Sequence, residues 1–102
     1  MTRTVQAKRA AFRALHADGC FVLPNPWDVG SALMLQGLGF KALASTSSGF
    51  AWSTGQADGT STREAVLAHL RTLSAATDLP VNADFESGYA LNADGVRESV
   101  RM

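Results

Sequence analysis

The stretch PVNADFESGYA, Pro80 to Ala90, begins as an apolar strand and ends on two carboxylates, Asp84 and Glu86. Residues two apart in a strand point to the same face, so both carboxylates point the same way if the extended conformation continues to Glu86. Two close carboxylates repel each other, and burying them is costly unless a cation or hydrogen bonds compensate. Mg²⁺ accepts one or two protein carboxylates and keeps several waters, so a divalent cation at this strand end would compensate.

Helical and strand patterns alternate along the whole chain. The predicted order is a helix over residues 3–17, a strand over Phe21–Pro24, a helix capped by Asp28, a strand over Lys41–Ser45, a polar loop over Thr46–Thr60, a helix opened by the capping box Ser61-x-x-Glu64, a strand over Pro80–Asp84 and a helix capped by Asn92. Strands separated by helices are typical of a parallel sheet in an α/β fold. Ligand sites of such folds gather at the carboxyl ends of the strands, where Asp84 lies.

Composition narrows the class of protein. The chain has 102 residues, of which 46% are hydrophobic, enough for one small domain with a core. Nine basic and nine acidic residues balance, which argues against nucleic-acid binding. Cys20 is the single cysteine, so no intrachain disulfide or multi-cysteine zinc site is expected. The amino-terminal segment has no long apolar run, which predicts a cytoplasmic protein without a membrane span or secretory signal.

The last predicted helix and the sheet both look incomplete. Val96 and Val100 begin an apolar stripe, and the sequence stops at Met102. Three parallel strands also leave two unpaired edges, which complete proteins avoid or cover. We therefore expect residues 1–102 to be one partial domain, the front part of a larger fold truncated at its carboxyl end. A carboxyl-terminal helix that simply frays is the alternative.

The loop after the second predicted strand offers further ligand-binding groups. Hydroxyls and backbone N–H groups of Ser47, Ser48, Gly49 and Phe50 would lie near a strand end, and such groups suit a carboxylate or phosphate ligand. Asp58 adds a third acid near the same edge. From local sequence alone, the favoured interpretation is that the serines and Asp58 have ordinary turn roles. Asp84 and Glu86 would then be solvated loop charges or helix caps.

Taken together, these segments resemble the isocitrate lyase and phosphoenolpyruvate mutase superfamily. The most specific part is Pro80-Val81-x-x-Asp84-x-Glu86-x-Gly88-Tyr89, which is similar to the strand-end pattern of that family. The Asn-Pro-Trp-Asp segment, the Gly-Phe pair before the second strand and the Ser-x-Gly loop ending in Asp-Gly support it. The resemblance extends from about Cys20 to Met102.

The resemblance implies a fold, a reaction and a set of site residues. The family fold is a (β/α)₈ TIM barrel, of which this chain would supply the leading helix and the first three parallel strands. Family members bind Mg²⁺, or alternatively Mn²⁺, and make or break C–C or P–C bonds of α-oxo acids or phosphonates. Many form homo-oligomers by exchanging a carboxyl-terminal helix. The implied roles are direct metal ligation by Asp84, binding of metal-bound waters by Glu86 and Asp58, and substrate binding by Ser47, Ser48, Gly49 and Phe50.

Two departures from the family pattern keep other functions open. Many relatives have Asp at the position of Glu86, and the longer side chain suits a water-mediated contact better than direct ligation. The gating loop, the catalytic acid or base and a further metal-site acid of the family follow its fourth strand, so catalytic residues are expected beyond residue 102. A truncated, non-catalytic barrel fragment is therefore the main alternative. A flavodoxin-like binding module ranks last, because Pro24-Asn25-Pro26 stands where a glycine-rich phosphate loop is required.

Overall fold

A computed structural model describes residues 3–102 and confirms a mixed α/β fold in which helices separate the strands. Its elements are α1 (Val5–Leu15), α2 (Val29–Gly37), β1 (Leu43–Ala44), α3 (Ser47–Ser53), α4 (Arg63–Ala76), β2 (Val81–Asn82) and α5 (Ala93–Arg101). No helix within the described residues has the length and apolar character needed to cross a membrane.

The two strands pair in parallel, as the alternation of helices and strands predicts. Leu43 pairs with Val81, and Ala44 pairs with Asn82. A backbone bond at each end extends this pairing, from the Leu43 N–H to the Pro80 carbonyl at 3.0 Å and from the Ser45 N–H to the Asn82 carbonyl at 2.9 Å. Both strands are shorter than predicted, but their carboxyl ends lie side by side.

The segment Phe21–Pro24, predicted as the first strand, is irregular in the structure. It runs along the free edge of β1, where the Ala44 N–H donates to the Pro24 carbonyl at 3.0 Å. Pro24 and Pro26 have no N–H to donate, so a regular ladder cannot form on this edge. The Asn25 side-chain amide replaces the missing donor and bonds the Ala44 carbonyl at 3.1 Å.

A small apolar cluster joins the sheet to α2 and α4. Its buried members are Ala32, Leu43, Leu73 and Leu79. Of the predicted stripe on α4, Val66 and Leu73 are buried and Leu70 is partly exposed. The core therefore lies between the sheet and these two helices.

Two predicted helix caps are confirmed, and the predicted capping box is wrong. Asp28 caps α2, and Asn92 caps α5, each accepting a hydrogen bond from the backbone N–H three residues later at 2.8 Å. The helix α4 begins one residue later than predicted, because Thr62, an equally good cap, accepts from the Ala65 N–H at 3.1 Å. Glu64 pairs with Arg63 at 3.1 Å and does not reach back to a cap.

The segment predicted as a polar loop, Thr46–Thr60, contains the short helix α3. Thr46 caps it by accepting a hydrogen bond from the Gly49 N–H at 3.2 Å. Serine and glycine are poor helix formers, so helix propensity does not predict this helix from the sequence. Because α3 forms here, Ser47 begins a helix directly after β1, beside the carboxyl end of β2.

Candidate metal and substrate site

The carboxylate of Asp84 links the ends of the two strands. Its Oδ2 atom accepts hydrogen bonds from the Ser47 N–H at 3.1 Å and from the Ser47 hydroxyl at 3.0 Å. Its Oδ1 atom accepts from the Glu86 N–H at 3.3 Å, and its backbone N–H donates to the Ser45 hydroxyl at 2.8 Å. Asp84, for which the family resemblance implies metal ligation, is therefore oriented by four hydrogen bonds.

These hydrogen bonds keep Asp84 in the form that binds metals. The backbone N–H of Ser47 holds the pKa of Asp84 below its usual value, and burial partly opposes this shift. The Ser47 hydroxyl and the Glu86 N–H lower the pKa further. Asp84 is therefore ionised at neutral pH, the state in which a carboxylate can bind a metal ion.

The chain turns sharply after Asp84, so Glu86 does not continue the strand. Glu86, Gly88 and Tyr89 have positive φ values of 49°, 82° and 55°. The condition under which both carboxylates would share one strand face is therefore not met. Left-handed backbone is costly for residues other than glycine and tends to occur at functional sites. The turn brings Tyr89 back toward Glu86.

Tyr89 also belongs to this site, although no role was predicted for it from the sequence. Burial raises its pKa to about 12, and the negative charges of Glu86, Asp84 and Asp58 contribute, that of Glu86 most. All three predicted acids therefore lie close enough to this hydroxyl to oppose its ionisation. The Gly88-Tyr89 pair of the motif is the signal that could have identified it.

The donor set fits a hydrated cation. Within residues 3–102, no three His, Cys, Asp or Glu side chains form a group that could hold a metal ion by themselves. A carboxylate has about four acceptor positions, and the three hydrogen bonds to Asp84 leave about one for a cation. Mg²⁺ needs only one or two carboxylates when waters or substrate oxygens complete its shell, and the oxygen-only donors suit it.

The four predicted substrate-binding residues form the first turn of α3 but have different contacts. Ser47 bonds Asp84, whereas the Ser48 hydroxyl lies 3.2 Å from the Thr46 hydroxyl. The Phe50 ring stacks on His69 of α4, with ring centroids 4.1 Å apart. Of the four, Ser47 alone contacts the Asp84 carboxylate, and the Phe50 ring packs between helices.

Gly49 occupies a position where a larger residue does not fit. A Cβ atom built on Gly49 would lie 2.5 Å from the Trp27 Nε1 atom and 2.6 Å from the Thr46 Cγ2 atom. The Trp27 ring also contacts Trp52, with ring centroids 5.6 Å apart. The first turn of α3 is therefore held by direct contact of its backbone with an indole.

The ionisation of His69, which stacks on Phe50 of α3, makes the stability of the fold depend on pH. Burial lowers its pKa, the negative charge of Asp28 partly opposes that shift, and its Nε2 atom has no hydrogen-bond partner among the described residues. The folded state therefore disfavours the protonated ring, and the stability that this provides is present above the ordinary histidine pKa of about 6.5 and is lost as the pH falls.

The change His69→Gln should therefore remove part of the pH dependence of stability. We expect the variant to lose more free energy of unfolding relative to the unmodified chain at about pH 7.5 than at about pH 5.5. Urea unfolding at both pH values measures this. His16→Gln, at the other, exposed histidine, is the matched control for the substitution itself. Equal losses at both pH values would contradict the prediction.

The ionisation of Tyr89 can be measured directly, because it is the only tyrosine. Phenolate absorbance should rise with a midpoint near the pKa of about 12 in the folded chain and near the ordinary value of about 10 in the urea-unfolded chain. Glu86→Gln should lower the folded midpoint, since it removes the nearest negative charge. A midpoint unaffected by that change would show that Glu86 does not face the phenol.

Comparison with known proteins identifies the family of this chain. The family model described as phosphoenolpyruvate phosphomutase matches residues 12–102. The match includes both strand ends and every residue of the candidate site. The chain therefore belongs to the phosphoenolpyruvate phosphomutase family.

Solved structures give the same fold. A crystal structure from Burkholderia cenocepacia J2315, provisionally described as a lyase/mutase, shares 48% identity over 93% of this chain with a TM-score of 0.90. A second one from that organism, provisionally described as a phosphonomutase, shares 40% identity over 91% with a TM-score of 0.84. The 2,3-dimethylmalate lyase, a member of the PEP mutase/isocitrate lyase superfamily, shares 31% identity over 99% with a TM-score of 0.78.

All of these relatives are much longer than this chain. The matches cover 35%, 39% and 35% of the three solved chains, respectively. Two Mycobacterium tuberculosis proteins described as uncharacterized, from strains CDC 1551 and H37Rv, are 41% identical over 88% of this chain and 35% of their own length. The chain thus spans about a third of its relatives.

Proposed function

We propose that a protein of the relatives' length containing this chain is a Mg²⁺-dependent lyase or mutase that cleaves or forms a C–C or P–C bond next to an α-oxo acid. The observation that carries this proposal is the ionised Asp84 at the end of β2, oriented by Ser47 at the end of β1. The family match and the likeness to a lyase of the same superfamily support it.

In this proposal three acids share the cation. Asp84 would hold Mg²⁺ directly, and Glu86 and Asp58 would hold its waters, as their proximity to the Tyr89 hydroxyl supports. Mn²⁺ would be accepted by the same oxygen donors. The bound ion would supply Lewis-acid stabilisation of the negative charge that develops on the keto oxygen as the enolate forms.

The contacts of α3 refine the role of its serines. The N–H and the hydroxyl of Ser47 both bond Asp84, so we assign Ser47 to positioning the metal ligand more than to binding substrate. The Ser48 hydroxyl, at the same strand end, is then the stronger candidate for a contact with the substrate carboxylate. Phe50 would act indirectly, by fixing α3 against α4 through His69.

The remainder of the protein is also part of the proposal. The fold would be a complete (β/α)₈ barrel whose further strands cover the exposed edges and supply the catalytic acid or base. We further propose a cytoplasmic homo-oligomer acting on a small-molecule α-oxo acid or phosphonate.

Calorimetry with Mg²⁺ and oxalate tests this function, because oxalate mimics the enolate of pyruvate. The comparison is between this chain and a polypeptide extended to the length of the relatives. Oxalate binding by the extended polypeptide that requires Mg²⁺ is expected. Absence of binding by both would reject the enzyme proposal and leave the three acids as ordinary loop charges.

A non-catalytic role for the chain alone is the second candidate. The helix α2 and the residue that caps its carboxyl end expose apolar side chains, with Met34 and Leu38 69% and 70% exposed, respectively. Exposed apolar groups of this kind favour assembly with another chain. A monodisperse monomer with a sharp cooperative unfolding transition would count against this role.

A further inference from the structure

Ser45 directly follows β1, the strand that has a neighbouring segment of this chain on both of its edges. On one edge the Ala44 N–H donates to the Pro24 carbonyl at 3.0 Å, and on the other the Ser45 N–H donates to the Asn82 carbonyl at 2.9 Å. Ser45 is 5% exposed. The surroundings of its hydroxyl are therefore formed by the chain itself.

The side chain of Ser45 takes the place of its carbonyl in the parallel ladder. The pairing of Leu43 with Val81 sets a register in which the next bond would run from the Asp84 N–H to the Ser45 carbonyl. The Asp84 N–H donates to the Ser45 hydroxyl at 2.8 Å. The hydroxyl thus continues the pairing by one bond beyond the end of β2, where the backbone no longer has strand geometry.

Asp84 is consequently attached to the segment after β1 at two points. Ser45 holds its backbone N–H, and Ser47 holds the Oδ2 atom of its carboxylate through an N–H at 3.1 Å and a hydroxyl at 3.0 Å. Attachment at both ends of a side chain restricts its torsion angles. A metal ligand needs this restriction, because binding groups must be held within about 0.5 Å of the productive geometry.

We propose that Ser45 is a positioning residue, which fixes the direction of the Asp84 carboxylate by holding the Asp84 backbone. The proposal rests on the proposed function in one respect, namely that this carboxylate binds the cation. Ser45 is nearly buried, so we assign it no contact with the cation or the substrate. Removing its hydroxyl should act only by changing where the carboxylate lies relative to Ser47.

Mg²⁺ binding to a polypeptide of the relatives' length, measured by calorimetry, tests this role. Ser45→Ala should weaken binding by about tenfold, the lower end of the loss expected when a partner of a metal ligand is removed. Ser45→Thr keeps the hydroxyl and should retain the original affinity. Ser45→Cys carries a weakly accepting sulfur, so it should behave like Ser45→Ala and keeps the test valid if the alanine variant unfolds.

Thr77→Val is the matched control. Thr77 is fully buried, and its hydroxyl also accepts a backbone N–H, that of Leu79 at 3.1 Å, but before β2 instead of after it. The variant should lower the urea midpoint and leave the Mg²⁺ affinity unchanged. Equal weakening of Mg²⁺ binding by Thr77→Val and Ser45→Ala would show a general loss of stability and overturn the proposal. An unchanged affinity in Ser45→Ala, or equal weakening by Ser45→Ala and Ser45→Thr, would also overturn it.

Amide hydrogen exchange of the same polypeptides without metal separates this proposal from the enzyme function. The Ser47 N–H donates to the carboxylate, so its exchange should become several-fold faster in Ser45→Ala and stay unchanged in Thr77→Val. If the unmodified polypeptide bound no Mg²⁺ but exchange at Ser47 still depended on the Ser45 hydroxyl, the metal assignment would fail and the positioning of Asp84 would stand. Unchanged exchange at Ser47 in Ser45→Ala would overturn the positioning role, whether or not Mg²⁺ binds.

Discussion

Replacing Asp84 with alanine in a polypeptide of the relatives' length should lower Mg²⁺-dependent turnover by about a hundredfold or more. Changes to residues that merely support a metal ligand typically cost about ten- to a hundredfold, so loss of the proposed ligand itself should cost at least as much. Steady-state kinetics over a range of Mg²⁺ concentrations would measure the effect. A higher Mg²⁺ concentration should not restore full turnover if the Asp84 carboxylate is also needed to position the bound ion near the keto oxygen.

Asp78→Ala is the matched control for this experiment. Asp78 lies before β2 and Asp84 after it, so the two variants remove the same group from opposite ends of one strand. Asp78→Ala should retain turnover, although it removes the hydrogen bond to Arg3. Full activity of the Asp84 variant would reject the metal assignment. Urea unfolding of both variants separates a loss of chemistry from a loss of the link between β1 and β2.

Ser47→Ala should lower Mg²⁺-dependent turnover in the same way as Asp84→Ala, but by less. It removes the hydroxyl at 3.0 Å from Asp84 and retains the backbone N–H, which is the larger cause of the lowered pKa. We therefore expect a smaller loss than for Asp84→Ala, seen mainly as a higher Mg²⁺ requirement. This separates the proposed positioning role of Ser47 from direct contact with the substrate.

The sequence predicted the parallel pairing and the place of Asp84, because both follow from short local patterns. An apolar run that ends on an acid marks a strand end, and intervening helices indicate parallel strands. It failed for Phe21–Pro24 because prolines remove the backbone donors that a strand needs, while an Asn25 side chain supplies one instead. The direction of Glu86 was missed because a positive φ at a non-glycine residue has no simple sequence signal.

The missed helix α3 has a different cause, which lies in tertiary packing. Ser47, Ser48 and Gly49 give it a weak intrinsic tendency to form, and a contact with Trp27, distant in sequence, stabilises it. The same contact requires glycine at position 49. Gly49 therefore lowers the helix propensity of this segment and at the same time allows α3 to pack against Trp27. Replacement of this residue is the most direct test of that explanation.

Gly49→Ala should destabilise the chain by about 1–3 kcal/mol, the usual cost of overfilling a packed site. Neither neighbour can move without loss, because Trp27 packs on Trp52 and Thr46 caps the helix through its hydroxyl. Gly37→Ala is the matched control, since its added Cβ would meet nothing within 4 Å in α2. That change should stabilise by a few tenths to about 1 kcal/mol through helix propensity.

Urea unfolding of the two alanine variants at neutral pH should therefore shift the midpoint in opposite directions. Because α3 places the Ser47 donors on Asp84, the Gly49 variant should also bind Mg²⁺ more weakly in the extended polypeptide, and the Gly37 variant should not. Stabilisation by both changes would mean that Trp27 moves aside freely. The indole contact would then have no part in holding the metal ligand, and the position of α3 would have to depend on the Phe50 and His69 stack alone.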